Sequence, residues 1–423
     1  MGEKGSVLPG APTPAKNTGF SYGYIIVIAG LLISIVMWGT RQSFGVFFGP
    51  LLDEFGWQRG PTSAAFSVTW IGTGILSIFV GRLNDLIGPR VIMTVAGCFV
   101  GLGCILISTL DNIWQLFLYY GVINIGMSAA LIPIMSTIAR WFVKKRALMS
   151  GIVLAGTGVA LMVVVPFSNQ LIASYGWRSS YTVVGAATFV IIVISSQFLR
   201  RDPAQMGQLP YGYDATNTAY AGGPISGLTV TEAVRTGQLY LLAAVYFCTY
   251  FLFYVIIAHA VLYATGNNVP PTQAVTIISV IGVAGIAGRV LMGMFADRFG
   301  HKRTMVLGGV LVMVAFALLL ISPSIWMMYA YAALFGFGHG GLATMESPMT
   351  AHIFGMRSHG AILGMVFTGD TLGGALGPIL AGFIFDQMQS YTLVFQMCAL
   401  IAVINLIAIL SLRPMKQLLK NPA

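Results

Sequence analysis

Four ionisable side chains lie where long apolar stretches surround them: Arg41, Arg289, Glu346 and Asp370. A charge at the centre of a membrane-spanning helix costs about 2.5–3.5 kcal/mol even on generous scales, so each needs a partner or a task. A guanidinium presents a planar fork matched to a carboxylate, and Arg289 therefore suits an anionic substrate. The competing reading is that Arg289 and Asp370 simply neutralise one another as a buried pair. Carboxyl groups in a low-dielectric site bind a proton more readily than in water, which makes Asp370, Glu346 and the imidazole His339 candidates for proton coupling. His339 reads equally as a satisfied core histidine, and Glu346 as a helix-packing hydrogen bond; His259 is also protonatable.

Polar and aromatic residues accompany them. Tyr119 and Tyr331 each pair a hydroxyl with a large apolar ring, suited to the head and short body of a small organic acid, or to an aromatic belt at the membrane surface. At 100° per residue Tyr331, Phe335, His339 and Glu346 fall within an arc of about 80°, a stripe able to line a cavity. Asn124 is either a ligand or interhelical glue, and Arg41 either steers anions inward or snorkels. No metal-ligand spacing, phosphate loop or nucleophile elbow is present; the four cysteines lie in apolar runs, and Gly336-x-Gly338-x-x-Gly341 follows no strand. No enzyme and no cofactor is read here.

The elements that must position these residues follow from composition. The chain has 423 residues, 57% hydrophobic and only 8% charged, against roughly 25% charged in soluble domains. That speaks against a soluble enzyme and for a polytopic bundle, since a helix crosses a bilayer core in about 20 residues. Apolar runs occur near 23–50, 62–81, 90–110, 114–139, 147–173 and 178–199, then near 237–263, 272–296, 304–322, 325–350, 360–385 and 391–412. The organisation expected is a tail at 1–22, six spans over 23–199, a polar linker at 200–236, six spans over 237–412 and a tail at 413–423. Eighteen Lys and Arg residues then fall on the side of the N-terminus against two, Arg59 and Arg178, on the other. The bias predicts both termini cytoplasmic and explains the net charge of +10 as a topology signal, with no need of nucleic acid.

The two halves repeat. Gly81, Asp85 and Gly88-Pro89-Arg90 reappear 212 residues later as Gly293, Asp297-Arg298 and Gly300-His301-Lys302, and Tyr119 meets Tyr331 at the same offset. A parallel six-plus-six repeat places a substrate site near the midplane between halves, which rock to give alternating access. By the same topology Arg289, eight residues before Asp297, lies roughly 12 Å into the membrane, near its middle. Each Asp can cap or bridge neighbouring helix ends. The doubled Gly-x-x-x-Asp-x-x-Gly-basic pattern resembles the signature of the major facilitator superfamily, which implies an all-α membrane protein of twelve transmembrane helices in two pseudo-symmetric six-helix bundles.

A narrower likeness rests on Tyr22-Gly-Tyr-Ile, Val46-Phe-Phe, Arg140-Trp-Phe-Val-Lys-Lys-Arg146 running into Ala147-Leu-Met-Ser-Gly151, Arg289 in the eighth span and Asp370 before Gly377-Pro378. These resemble the monocarboxylate transporter family, suggesting a bacterial member. The resemblance implies uptake of lactate- or pyruvate-like monocarboxylates with a proton across the cell membrane by a protein that needs no cofactor and is expected as a monomer, with Arg289 holding the carboxylate. Two departures stand out. Animal lactate carriers have an aspartate one turn before that arginine, where this chain has Gly285, and a lysine in the first span where it has Gln42. An oxalate and formate exchanger is the nearest alternative, but such proteins resemble this one except for a lysine in the eleventh span, which here carries an acid. A membrane sensor or a drug exporter fits less well, because tails and linker are short and a Gly-Pro pair is missing near Gly151, Gly156 and Gly158.

Overall fold

A computed structural model describes residues 21–57, 59–213, 227–321 and 324–413. The expected tails and the middle of the linker lie almost wholly outside these residues. In chain order the helices are α1 (Gly23–Gln42), α2 (Phe44–Phe55), α3 (Arg59–Ile87), α4 (Pro89–Ile107), α5 (Ile113–Met127), α6 (Ile132–Trp141) and α7 (Arg146–Ser196). After the linker come α8 (Val230–Val234), α9 (Gly237–Gly266), α10 (Pro271–Phe299), α11 (His301–Ile321), α12 (Ile325–Thr344), α13 (Glu346–Phe354), α14 (His359–Met388) and α15 (Thr392–Ser411). Among the described residues nine helical segments are long and apolar enough to cross a bilayer. One of them, the 51-residue α7, breaks at Gly176 into two helices. By length alone α3, with 29 residues, and α12, with 20, also reach across a hydrocarbon core.

Two hydrophobic cores form. One gathers α1 to α7 around Ile33, Met37, Trp141 and Phe142, and the other gathers α9 to α15 around Tyr246, Phe316, Phe335 and Phe395. The bundles meet where α3 packs on α14 and where α10 packs on α7. Large apolar side chains such as Phe79, Leu118, Ile379 and Phe383 stay exposed on the outside of the bundles, the pattern of a protein whose solvent is lipid rather than water. Trp114 and Trp326, 212 residues apart, open α5 and α12 and are each 78% exposed, where an interfacial aromatic belt belongs.

The helix ends follow local chemistry. Asn112 caps α5 by accepting from the Gln115 N–H (3.0 Å), and Thr229 with Glu232 forms a reciprocal capping box on α8. Gly88 (φ 87°) and Gly300 (φ 99°) turn the chain between α3 and α4 and between α10 and α11. That left-handed region is open to glycine at little cost, which is why the repeated motif ends in one. The far end of the first bundle is tied by Glu54, which accepts from the Trp177 indole (2.5 Å) and from Arg178 (2.7 Å). Those two donors hold the Glu54 carboxyl below the usual carboxylate range.

Three passages are interrupted in mid-course: α1 and α2 at Ser43, α5 and α6 over residues 128–131, and α12 and α13 at Met345. Pro133 lies in the first turn of α6, where its missing N–H leaves nothing unsatisfied. The break at Met345 makes Glu346 the first residue of α13 and sets it deep in the bundle, 3% exposed.

Candidate functional site

The repeated Asp residues work as crossed clasps at the linker end of the bundles. Asp85 on α3 accepts the backbone N–H groups of Gly360 (3.3 Å) and Ala361 (3.1 Å) at the start of α14. Asp297 on α10 accepts those of Ala147 and Leu148, both at 2.9 Å, at the start of α7. Each carboxylate thus satisfies the orphan donors of a helix in the other bundle, where the helix dipole also favours it. Gly81 and Gly293 let the backbones meet, since a Cβ would fall 2.2 Å from the Gly360 carbonyl and 2.8 Å from that of Ala147. Arg140, 4% exposed, reinforces the first clasp by pairing with Asp202 (3.1 Å) and Asp85 (3.7 Å) and donating to the Met356 carbonyl. Of the other motif residues, Arg90 donates to Gln197 within the first bundle, and Arg298 is exposed.

Each clasp supplies two hydrogen bonds to a charged acceptor, a kind worth about 1.5–3 kcal/mol apiece. We expect Asp85→Asn to open the linker end. In a cysteine-free background, a thiol placed at Leu363, fully buried between the bundles, should label with a membrane-impermeant maleimide roughly tenfold faster in the Asn variant, the ratio for about 1.4 kcal/mol. Equal labelling rates would show that the clasp does not hold the bundles together.

Above the clasps, a cavity lies between the bundles. Its walls include Trp38 and Gln42 of α1, Trp70 of α3, Leu154 and Gly158 of α7, Tyr250, Phe253 and Tyr254 of α9, Gly282, Gly285 and Arg289 of α10, His339 of α12 and Asp370 of α14. About 110 Å³ is open to water centres, enough for several waters or one small organic molecule when a water needs about 10–15 Å³. Arg289, about 12 Å above Asp297 by helical rise, faces this space with its Nε buried and without a partner. Trp38 and Trp70 (6.5 Å between rings) and Trp70 and Tyr254 (4.9 Å) form an aromatic row across the two bundles on the side away from the clasps.

The arginine and the acids stay apart. Among the described residues the ion pairs are Arg140 with Asp85 and Asp202, Arg178 with Glu54, and Arg201 with Asp202; none involves Arg289, Glu346 or Asp370. Neutralisation of Arg289 by Asp370 therefore does not occur, although both line the same cavity. Instead Asp370 and Glu346 face one another. Taken as carboxylates, both Asp370 oxygens and Glu346 Oε1 are buried with no donor. An ionised carboxylate only accepts, so two carboxyl groups bond to each other only when one carries a proton.

The remaining residues singled out from sequence are placed elsewhere. His339 lines the cavity, stacked on Phe253 (4.1 Å between rings). Phe335 and Tyr331 continue that stack at 6.0 and 5.4 Å but are 1% exposed in the core of the second bundle, away from the cavity walls. Tyr119 packs against the first bundle's core, and Asn124 accepts from Thr73 in a small separate pocket. His259 is engaged by Tyr391 and by the Pro378 carbonyl, both at 3.1 Å. Of the three glycines that precede Arg289 on α10, Gly282 and Gly285 border the cavity, while Gly288 serves helix contact, a Cβ there falling 2.2 Å from the Phe337 carbonyl. Sequence reasoning missed Trp38, Trp70, Tyr250, Phe253 and Tyr254. Aromatic residues in apolar helices carry no charge signal, and only the turn-by-turn spacing of Tyr250 and Tyr254 hints at a shared face.

The sequence matches the Major Facilitator Superfamily over residues 27–265 and again over 239–423. It is 26% identical to monocarboxylate transporter 13 of Rattus norvegicus over 88% of this chain and 85% of that protein. It is 24% identical to monocarboxylate transporter 4 of Gallus gallus over 92% and 82%. Among solved structures the proton:xylose symporter XylE superposes with a TM-score of 0.72 at 13% identity, covering 93% of this chain and 96% of that one, which bears on the fold alone.

Proposed function

Because this chain belongs to the major facilitator superfamily, with transporters rather than enzymes as its relatives, we propose that it moves a short monocarboxylate together with a proton by alternating access. The observation that carries this reading is Arg289, a guanidinium facing a central cavity with no carboxylate in ion-pair reach. A buried cation of this kind is strongly favoured by an anion that fills its fork. The cavity suits a small, partly apolar acid: Tyr250 and Tyr254 offer hydroxyls, and Trp38, Trp70 and Phe253 offer apolar faces. Among the described lining residues Arg289 is the one Lys or Arg, which favours a monoanion over oxalate.

Glu346 and Asp370 are the proton carriers in this scheme, with His339 lining the wall between α12 and the cavity. The Lys and Arg distribution puts both termini and the linker in the cytoplasm of a multi-pass protein of the cell membrane. The Asp85 and Asp297 clasps then seal the cytoplasmic end, so the structure represents a state closed toward the cytoplasm. Breaking the clasps while the bundles rock would expose Arg289 to the cytoplasm.

Uptake of labelled L-lactate into proteoliposomes tests the proposal. An inward proton gradient should drive accumulation well above the equilibrium level, and collapse of the gradient with an ionophore should remove it. Uptake indifferent to the gradient would refute symport, and counterflow against internal oxalate would favour the exchanger instead.

A further inference from the structure

Arg41 does not behave as its position in the sequence suggested. It is 8% exposed, so it does not snorkel to an interface, and it is absent from the walls of the central cavity. Its guanidinium carbon lies 3.4 Å from the centroid of the Trp70 ring, and the side chain points into a second, smaller cavity within the first bundle. Thr40, Thr73, Tyr120, Asn124 and Tyr181 supply the polar part of that wall, and no Asp or Glu is among its described residues. Arg41 Nε and Nη2 are buried with no hydrogen-bond partner, and no ion pair reaches the residue among those described.

The energies decide what such a site needs. A buried guanidinium loses much of its hydration even after relaxation. Contact with one indole face returns part of that cost and leaves in-plane N–H groups without acceptors. No backbone carbonyl accepts from Arg41 Nε or Nη2. An anion would, and the size of the cavity restricts which one. About 20 Å³ is open to water centres, against the 10–15 Å³ or so that one water needs, so an organic acid does not fit but a monatomic anion does.

We propose that Arg41 holds a small inorganic monovalent anion of halide size inside the first bundle, at a site separate from the central cavity. The anion accepts from Arg41 Nε and Nη2 and sits among residues of α1, α3, α5 and the second half of α7, so that it joins four passages of that bundle. Hydroxyls around it are already organised by Thr40 with Thr188 (2.8 Å) and Tyr120 with Tyr181 (2.8 Å). A ligand that binds only the folded protein raises stability by RT ln(1 + [L]/Kd).

The test is a chloride titration of the purified full chain at constant ionic strength, with gluconate as the replaced anion and the unfolding midpoint as readout. The midpoint should rise by roughly 2–4 °C and saturate, the rise should vanish in Arg41→Gln and persist in Arg289→Gln, and Arg41→Lys should keep a weakened response. Should Arg41→Gln fail to fold, crystals of the parent grown in bromide decide the matter, an anomalous peak beside the Arg41 guanidinium supporting the site and its absence overturning it. A midpoint indifferent to chloride, or a response that survives Arg41→Gln, also overturns it. So does a lactate response that depends on Arg41 but not on Arg289, since the occupant would then be a carboxylate.

Discussion

Arg289→Gln should abolish saturable L-lactate uptake while leaving a folded protein that melts within a few degrees of the parent. Among the described residues the side chain makes no ion pair, and its Nε has no partner, so replacing it breaks no ion pair and relieves a buried charge. What is lost is the fork for the carboxylate. Hydrogen bonds to a charged group contribute about 1.5–3 kcal/mol, and two from one fork place the loss at about 3 kcal/mol or more, over roughly 100-fold in apparent affinity. Arg289→Lys should recover part of this, because an ammonium keeps the charge without the planar pair of donors. The comparison is read from lactate-dependent counterflow at zero proton gradient, so that a defect in coupling does not mimic one in binding. Near-normal counterflow by Arg289→Gln would remove the anion site from this residue.

Arg289 also sits at a contact between the bundles. A Cβ on Gly151 of α7 would fall 2.1 Å from the Arg289 carbonyl, and one on Gly364 of α14 would fall 2.6 Å from that of Ser77 on α3. Ser77 and Arg289 are 212 residues apart, Gly151 and Gly364 213, so these are the two copies of one contact. The backbone seam is thus the same in both halves while the side chains differ: Ser77 is buried and donates to the Gly74 and Gly364 carbonyls, and Arg289 faces the cavity. Under the proposed alternating access, an anion on Arg289 would bear on the row of contacts that slips when the bundles rock, a route by which binding energy would reach the clasps at Asp85 and Asp297.

Much of this was legible because charge is scarce. With 8% charged residues, an acid or arginine inside an apolar run stands out, and Arg289 and Asp370 were found that way and do line one cavity. The Asp85 and Asp297 clasps were legible because a repeat doubles the signal. Helix faces were not. Membrane helices are apolar all round, so of the arc through Tyr331, Phe335, His339 and Glu346 only His339 reaches the cavity wall; Tyr331 and Phe335 are core, and Glu346 lies beyond the break at Met345. Symmetry misled at Tyr119 for the same reason: the offset to Tyr331 says that two positions correspond, not which way they face. Arg41 shows the limit most clearly, since its depth was readable from the sequence but its turn behind Trp70 depends on packing between α1 and α3.

Asp370→Asn and Glu346→Gln should each uncouple transport from the proton gradient while sparing lactate exchange. The two carboxyl groups face one another in the second bundle, and as carboxylates three of their oxygens have no donor. One shared proton supplies the missing donor. An amide in place of either acid supplies it permanently, because its N–H bonds to the remaining carboxylate and removes the reason for a proton to bind there. The sign follows: where the parent accumulates lactate more strongly as the outer pH falls below the inner pH, each variant should equilibrate lactate without accumulating it, and its exchange rate should lose most of its dependence on pH. Arg289 remains in place in both variants, so counterflow should stay within a few-fold of the parent. Measuring gradient-driven accumulation and counterflow on the same vesicles separates the outcomes. Retention of uphill uptake by both variants would exclude the acid pair as the proton carrier and leave His339, the imidazole on the cavity wall, as the candidate.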